Sequence, residues 1–321
     1  MEKQKILVTQ SILNNGIEIL ENAGLEVEIW QEKGPISYEK LLNMASDKVG
    51  IISMLSDRID SKLLENAPHL KVVSNYAVGF NNIDVQAASK LKIAVGNTPG
   101  VLTDATADLA MALLLNLSRK IRPASENVKN GEWINWEPMG FLGKSLKGKT
   151  LGIYGLGRIG QALAKRCTHG FGMDLIHHTR SEKLMGTKVD FETLLKTSDV
   201  LSIHCPLTEE TNGLFDYENL SKMKKDSILI NTARGEVIVE KDLEKKVNEG
   251  HFFGVGLDVT APEPMSANSS LLKNERVLVT PHIGSADYET RAAMSELVAR
   301  NIISALNKAE LPGFVNPDVW N

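Results

Sequence analysis

Short apolar runs alternate with amphipathic stretches along the whole chain. In the first hundred residues, β-rich runs are separated by segments in which apolar residues recur at helical spacing. The predicted strands cover residues 5–9, 25–29, 49–53, 71–74 and 93–95, and the predicted helices cover about 14–23, 37–45, 60–66 and 84–89. Strands that alternate with helices indicate right-handed crossovers and a parallel sheet with helices on both faces.

The same alternation begins again at residue 149, which predicts a second α/β unit after a long apolar helix at about 102–120. The strands predicted for this unit cover residues 149–154, 173–178, 200–204, 227–230, 253–257 and 277–279. A last amphipathic stretch, about 286–307, is expected to pack back onto the first unit. We therefore expect two doubly wound parallel-sheet domains, with residues 99–285 inserted in a domain made of residues 1–98 and 286–321.

The bulk composition excludes several classes of protein. The chain has 321 residues, 42% hydrophobic and 24% charged, with a net charge of -4. Because this net charge produces only a weak electrostatic field, we expect no binding to nucleic acid or to an anionic membrane. No apolar run is long enough to span a bilayer. No secretory leader is recognised, so a cytoplasmic location is expected, with Cys167 and Cys205 as reduced thiols and no metal site.

A glycine-rich turn lies between a predicted strand and a helix predicted over residues 161–167. It has the GxGxxG spacing, in the order Gly155, Leu156, Gly157, Arg158, Ile159, Gly160. In this context the first glycine permits a tight turn, the second lets the backbone approach a pyrophosphate, and the third lets helix and strand pack closely. The pyrophosphate would face the helix N-terminus. The inserted domain is therefore predicted to be a Rossmann domain, and the protein a dehydrogenase that binds a nicotinamide dinucleotide.

The residues after the next predicted strand bear on the choice between NAD and NADP. A carboxylate there binds the adenosine ribose of NAD and repels the 2′-phosphate of NADP. Thr179 occupies that position here, and Arg180, Ser181 and Lys183 supply cationic and hydroxyl donors suited to a phosphate. NADP is therefore favoured, and an NAD enzyme with a solvated basic loop is the alternative.

Three later segments place reactive side chains just past predicted strands, at the edge where open α/β sheets bind ligands. These segments are 231–235, 257–264 and 280–285. Together with the glycine turn and segments 78–84 and 97–108, they make the chain resemble the D-isomer-specific 2-hydroxyacid dehydrogenases, most closely the glyoxylate/hydroxypyruvate reductase branch. The resemblance covers about residues 50–317. It implies a Rossmann coenzyme domain inserted in a flavodoxin-like substrate domain, a small 2-keto acid substrate and a homodimer.

The chemistry of 2-keto acid reduction explains three of these side chains. Arg234 has the planar fork that can hold a carboxylate and the adjacent carbonyl in one pose. His282 can deliver a proton to the carbonyl oxygen, because histidine is the side chain that titrates nearest to neutral pH. Glu263, if it reaches the imidazole, would favour the protonated ring and fix its orientation. The resemblance assigns the same catalytic roles to these three residues.

The resemblance also implies further contacts. Backbone amides of Val78 and Gly79 would bind the substrate carboxylate together with Arg234 and His282, since glycine allows close approach of a ligand. Asp258 would bind the nicotinamide carboxamide, and Pro206 would pack on the adenine side. The other implied cofactor contacts are Thr106, Cys205, Thr232, Ala233 and Gly284.

One departure from the branch leaves the substrate open. Gly140 stands where a second tryptophan usually narrows the substrate pocket from across a dimer, so a longer substrate such as 2-ketogluconate is compatible with the sequence. Trp133 and Trp136 would either shape the partner's pocket or form ordinary dimer packing. The alternative functions are a 3-phosphoglycerate-type dehydrogenase and a non-catalytic, dinucleotide-sensing scaffold similar to a corepressor.

Overall fold

The computed structural model describes residues 3–320 and divides the chain into two compact units. The first unit comprises Met1–Leu102 and Ser285–Asn321, and the second comprises Thr103–Gly284. Each unit contains its own parallel sheet, which confirms the prediction of two α/β folds. Among the residues that the structure describes, no helix combines the length and the apolar character needed to cross a membrane.

The first unit is built around a five-stranded sheet. Its strands are β1 (Lys5–Val8), β2 (Glu26–Ile29), β3 (Gly50–Ser53), β4 (Val72–Asn75) and β5 (Ala94–Gly96), and its first helices are α1 (Asn14–Asn22), α2 (Tyr38–Ala45), α3 (Ser61–Glu65) and α4 (Val85–Lys90). The strand order β2-β1-β3-β4-β5, with every neighbouring pair parallel, is the flavodoxin-like order. The last three strands are fully buried, as a parallel sheet with helices on both faces requires.

The second unit is built around a seven-stranded parallel sheet. Its strands are β6 (Thr150–Tyr154), β7 (Asp174–His178), β8 (Thr187–Lys188), β9 (Val200–Ile203), β10 (Ile228–Asn231), β11 (Gly254–Leu257) and β12 (Val277–Val279). Its helices are α5 (Thr103–Ser118), α6 (Ile121–Lys129), α7 (Arg158–Lys165), α8 (Phe191–Thr197), α9 (Tyr217–Lys222), α10 (Glu240–Asn248) and α11 (Ser270–Lys273). In the order β12-β11-β10-β9-β6-β7-β8, the chain adds strands to one side of β6 first and then, from β9 onward, to the other side. The carboxyl ends of β6 and β9 therefore flank the switch point at which such sheets bind ligands.

An aromatic cluster supports this edge of the second sheet. Tyr154 ends β6 and His178 ends β7, and their rings stack with centroids 5.5 Å apart and an interplanar angle of 7°. Phe191 and Phe215 meet the Tyr154 ring edge-on, at 5.3 Å and 5.5 Å. Stacked and edge-on rings at these distances pack favourably, so the residues that follow β6 and β7 begin from a rigid platform.

The final long helix, α12 (Tyr288–Leu306), packs within the first unit against α1 and β4. Gly16 permits the close approach of α1, because a Cβ there would lie 2.3 Å from the backbone oxygen of Ser295. The buried Asn301 side chain donates to the Asn97 carbonyl at 2.9 Å and accepts from the Gly313 N–H at 3.0 Å. These bonds fix the backbone that follows β5.

Helix α6 and strand β8 were not anticipated from the pattern, and the start of α7 differs from the prediction by three residues. Helix α6 has no buried residue, contains Pro123 near its start and consists mostly of polar residues, so no apolar run marks it in the sequence. Strand β8 has two exposed residues that pair with β7, too few for a recognisable alternation. Helix α7 begins at Arg158, inside the glycine motif, rather than at residue 161 as predicted.

Candidate active site

The glycine turn follows β6, and each glycine is needed for a different backbone reason. Gly155 has φ +93°, and a Cβ there would lie 2.8 Å from the Cys205 nitrogen. Gly157 has no atom within 4 Å of an added Cβ, so its backbone is open to a ligand. At Gly160 a Cβ would lie 2.8 Å from the Gly155 carbonyl oxygen. These are the three requirements of a pyrophosphate-binding turn.

The first turn of α7 presents unpaired N–H groups beside Gly157. That glycine is the N-cap, and no side chain caps the helix. Within residues 3–320, the N–H groups of Arg158, Ile159 and Gly160 have no hydrogen-bond partner. Such donors, together with the helix dipole, bind anions. The residues of the turn therefore fit the pyrophosphate of a dinucleotide.

Thr179, Arg180 and Ser181 directly follow β7, as the sequence predicts. Arg180 is exposed and makes no hydrogen bond or ion pair with any other residue that the structure describes. The hydrogen bond from Lys188, at 2.5 Å, and the charge of that lysine lower the pKa of Glu182. The strand end therefore carries a hydroxyl and an available cation where NAD-specific sites carry a carboxylate.

The residues that follow β9 lie at the same edge of the sheet, and their side chains carry no charge at neutral pH. His204 lies with Nε2 2.8 Å from Ser202 Oγ and Nδ1 3.5 Å from Thr232 Oγ1. Burial lowers the pKa of His204 to about 4, and burial raises the pKa of Cys205 to about 12. Both side chains are therefore neutral at pH 7, and Pro206 follows them on the surface.

Arg234 lies just past β10 on a turn held by Asn231. Asn231 Nδ2 donates to the Arg234 carbonyl at 2.9 Å, and its Oδ1 accepts from the Ala233 N–H at 3.0 Å. Arg234 Nη1 donates to the Ala233 carbonyl at 2.7 Å. Burial lowers the pKa of Arg234, and the charges of Glu236 and Glu263 oppose that shift. The guanidinium remains cationic at neutral pH.

His282 and Glu263 form the closest ionisable pair of the second unit's ligand edge. His282 Nδ1 lies 2.6 Å from Glu263 Oε1. Burial alone would raise the pKa of Glu263, but the hydrogen bond and charge of His282, with the charge of Arg234, bring it below its usual value. The ionised carboxylate accepts the Nδ1 proton. The Nε2 atom, which has no partner within residues 3–320, is left for a ligand.

Asp258 holds the loop that carries His282. Its Oδ1 accepts from Thr280 Oγ1 at 2.7 Å and from the Ile283 N–H at 2.8 Å, and its Oδ2 accepts from the Gly284 N–H at 2.8 Å. The His282 N–H donates to the Asp258 carbonyl at 2.9 Å, and His282 itself has φ +53°. A histidine in this left-handed region persists only where its surroundings fix it. Sequence reasoning missed this supporting role of Asp258.

Thr106 and Gly284 meet at the same place. A Cβ on Gly284 would lie 3.1 Å from Asp258 Oδ2 and 3.3 Å from Thr106 Cγ2. The second unit therefore brings together the predicted residues of segments 257–264 and 280–285 with the N-terminal end of α5. In the part of the chain that the structure describes, no group of three His, Cys, Asp or Glu side chains could hold a metal ion.

In the first unit, the loop after β4 has carbonyl groups that accept hydrogen bonds and N–H groups that have no acceptor in the described part of the chain. The Thr98 N–H donates to the Ala77 carbonyl at 2.9 Å, and Asn97 Nδ2 donates to the Val78 carbonyl at 2.8 Å. Across residues 3–320, no acceptor is found for the N–H groups of Val78 and Gly79, and both residues are partly exposed. Adjacent free N–H groups form a concavity that binds anions such as a carboxylate.

A segment that we call the apolar arm, residues 121–142, exposes large hydrophobic side chains. It includes α6, Trp133 and Trp136. Ile134, Trp136 and Met139 are more than three-quarters exposed, at 87%, 82% and 77%. Several large apolar side chains exposed within one segment are typical of an interaction site.

The Rossmann-type sheet, the pyrophosphate turn and the pair of His282 with Glu263 define a nicotinamide-dinucleotide-dependent oxidoreductase. The profile of the "D-isomer specific 2-hydroxyacid dehydrogenase, NAD binding domain" matches residues 111–284. A glyoxylate reductase from Thermococcus litoralis is 48% identical over 99% of this chain and 98% of its own. The chain thus belongs to the D-isomer-specific 2-hydroxyacid dehydrogenases, in the glyoxylate reductase branch, and the resemblance seen in the sequence is confirmed.

Two solved structures agree with this assignment. A protein from Thermus thermophilus superposes with a TM-score of 0.94 at 41% identity and covers 97% of this chain and 100% of its own. An NADPH-dependent glyoxylate/hydroxypyruvate reductase from Sinorhizobium meliloti, solved with NADP and malonate, has a TM-score of 0.87 at 31% identity and covers 98% of each chain.

Proposed function

We propose that this protein reduces a small 2-keto acid to the D-2-hydroxy acid, with glyoxylate and hydroxypyruvate as the first candidate substrates and NADPH as the preferred cofactor. The observation that carries the proposal is the 2.6 Å contact between His282 Nδ1 and Glu263 Oε1, with Arg234 close enough for its charge to act on that carboxylate. The names of the relatives support the choice of substrates.

The side chains of the second unit have separate roles in the proposed reaction. The bound dinucleotide would supply a hydride to the substrate carbonyl carbon. Arg234, cationic and partly buried, holds the carboxylate and carbonyl of the substrate in one plane. His282 donates the Nε2 proton to the carbonyl oxygen, and Glu263, bonded to Nδ1, orients the ring and stabilises its positive charge. In the first unit, the free amides of Val78 and Gly79 are the groups that would bind a carboxylate.

A panel of substrates crossed with both cofactors tests this proposal. We expect oxidation of NADPH with glyoxylate or hydroxypyruvate, and 2-ketogluconate is included because Gly140 leaves room for a longer substrate. Arg234→Ala should mainly raise KM for the keto acid, and His282→Ala should mainly lower kcat, with little change in NADPH affinity for either. Background rates with all three substrates would overturn the proposal, and would leave the dinucleotide-sensing scaffold as the function to test.

The cofactor preference rests on Arg180 and the absence of a carboxylate at Thr179. A guanidinium with no hydrogen-bond or ion-pair partner among residues 3–320 can bind a 2′-phosphate through charge-assisted hydrogen bonds. Arg180→Asp should therefore weaken NADPH binding by about tenfold or more and change NADH binding little. NADH serves as the internal control, because it lacks only the phosphate. Equal losses for both cofactors would contradict the assignment.

The apolar arm supports a homodimer. A second copy is the occupant that fits, because the arm exposes several large apolar side chains, and homodimer interfaces are more apolar than transient ones. Light scattering should give twice the 35.2 kDa chain mass. Trp136→Ser with Met139→Ser should shift that mass toward the monomer. A wild-type protein that stays monomeric at micromolar concentration would exclude the dimer.

A further inference from the structure

Four successive carbonyl groups of the loop after β4 accept hydrogen bonds from within the first unit. The Ala77 carbonyl accepts from the Thr98 N–H, and the Val78 carbonyl accepts from Asn97 Nδ2 at 2.8 Å. The Gly79 carbonyl accepts from Asn75 Nδ2 at 2.8 Å, and the Phe80 carbonyl accepts from the Ile83 N–H at 3.0 Å. The loop is therefore held by its carbonyl side, one peptide after another.

The direction of each amide follows from the carbonyl before it. A trans peptide is planar, and its C=O and N–H groups point in opposite directions. The hydrogen bond to the Val78 carbonyl therefore sets the direction of the Gly79 N–H, and the bond to the Gly79 carbonyl sets that of the Phe80 N–H. No acceptor for the N–H of Val78, Gly79 or Phe80 is found within residues 3–320. The result is a row of three donors.

Both backbone polar groups of Asn97, its N–H and its carbonyl, are hydrogen-bonded. Its N–H donates to the Gly313 carbonyl at 2.9 Å, and its carbonyl accepts from Asn301 Nδ2 at 2.9 Å. The residue is 8% exposed, so its side-chain amide has little freedom to leave the Val78 carbonyl. The C-terminal part of the first unit thus fixes the position from which Asn97 reaches the loop.

Asn75 is held by a buried network. It is fully buried, and its Oδ1 accepts from Ser53 Oγ at 2.9 Å. Its Nδ2 donates to Asn82 Oδ1 at 3.1 Å as well as to the Gly79 carbonyl. Asn82 Nδ2 in turn donates to the carbonyls of Met54 and Asp57, at 3.1 Å and 3.0 Å. A fully satisfied amide of this kind is rigid, and removing it leaves several groups unpaired.

We propose that Asn97 and Asn75 are positioning residues for substrate binding, because they aim the N–H groups of Gly79 and Phe80 at the substrate carboxylate. The inference rests on the proposed function in one respect, that the substrate carries a carboxylate. Neither asparagine touches the substrate. Each asparagine orients one peptide group, because it bonds the carbonyl on the opposite side of that peptide from the N–H. The Phe80 N–H, oriented by Asn75, therefore belongs to the same site as the N–H groups of Val78 and Gly79.

The decisive variant is Asn97→Ala, with Asn316→Ala as the matched control. Asn316 is a buried asparagine of the same unit, 7% exposed, which accepts from the Val95 N–H at 2.7 Å and donates to the Ile93 carbonyl at 3.0 Å. It bonds backbone as Asn97 does, but not the loop at 78–80. Asn97→Ser removes less volume and replaces Asn97→Ala if that variant does not purify folded.

Oxalate is the probe, because it presents a carboxylate and cannot be reduced at a keto group. For wild type and each variant we would measure KM and kcat with glyoxylate, oxalate affinity in the presence of NADPH, NADPH affinity and urea unfolding. A charge-assisted hydrogen bond lost through misorientation weakens binding by about tenfold or more. We expect Asn97→Ala to raise the keto acid KM and the oxalate Kd together by about that factor. NADPH affinity should stay within about twofold, and Asn316→Ala should lower only stability.

The outcomes separate this inference from the proposed function. If Asn97→Ala and Asn316→Ala have the same KM and oxalate affinity, Asn97 is merely structural and the inference is wrong, while reduction of the keto acid stands. If the wild type reduces no keto acid but binds oxalate, and Asn97→Ala weakens that binding, the inference stands and the substrate assignment falls. If the wild type neither turns over nor binds oxalate, both are wrong.

Discussion

Replacing Gly157 by alanine should separate cofactor binding from folding. An added Cβ at this position meets no atom within 4 Å, and the backbone has φ -78° and ψ -163°, which alanine adopts without strain. Two small effects on stability then offset each other. Restricting the unfolded chain stabilises by about 0.4–1 kcal/mol, and alanine is a poorer N-cap than glycine by a similar amount. The free energy of unfolding should therefore change by less than about 1 kcal/mol.

Cofactor affinity should fall much further, because the methyl group would occupy the open space above the first turn of α7. Phosphate oxygens could no longer reach the N–H groups of Arg158 and Ile159 at hydrogen-bond distance. Hydrogen bonds to a charged acceptor contribute about 1.5–3 kcal/mol each, so losing one or two weakens binding by at least about tenfold. Fluorescence titration with NADPH, beside urea unfolding of the same preparation, measures both quantities.

Gly155→Ala is the companion variant. Its φ of +93° and the 2.8 Å approach of a Cβ to the Cys205 nitrogen make alanine strained at that site. A left-handed backbone alone costs about 1–2 kcal/mol, and the backbone contact adds to it. This variant should therefore lose stability together with binding. If Gly157→Ala bound NADPH as tightly as the wild type, the pyrophosphate would not lie on this turn, and the reasoning from the open backbone would be refuted.

Four further outcomes are expected. Asp258→Asn places an amide donor opposite a backbone N–H, so stability should fall by about 2–4 kcal/mol in urea unfolding and kcat should fall with it. Phe252→Ala opens a cavity in the core and should cost about 3–5 kcal/mol without changing KM. Gly140→Trp should reduce turnover of 2-ketogluconate more than that of glyoxylate, measured as the ratio of kcat/KM. Asp57→Asn should gain stability relative to the wild type as pH rises, measured by urea unfolding at several pH values.

The places of the glycine turn, Arg234, Glu263 and His282 after strand ends could be predicted from the sequence because their signals are local. Each lies within a few residues of a strand end, and strand ends of parallel sheets meet at one edge. The supports of these residues could not be predicted in the same way. Asp258 holds backbone groups of Ile283 and Gly284, more than twenty residues further along the chain. A side chain that bonds backbone at such separation leaves no periodic or compositional trace.

The loop after β4 illustrates the same limit. Its glycine and its place after a strand indicate a ligand contact, but two of the three donors that orient its amides, Asn97 and Thr98, lie about twenty residues later. Helix α6 is a different case. None of its residues is buried and most of them are polar, so it lacks the buried apolar face by which other helices are recognised.

The ionisable groups proposed for the chemistry all lie in the second unit. Burial raises the pKa of Asp57 in the first unit, although Thr9 and the Met54 N–H bind the carboxylate. A carboxyl group with a raised pKa in the folded state holds its proton longer there, so stability falls as pH rises from about 4 through that pKa. Asp57→Asn keeps both hydrogen bonds and removes this titration. The pH dependence of stability should therefore change while the pH profile of kcat does not, and a change in that profile would place Asp57 in the chemistry.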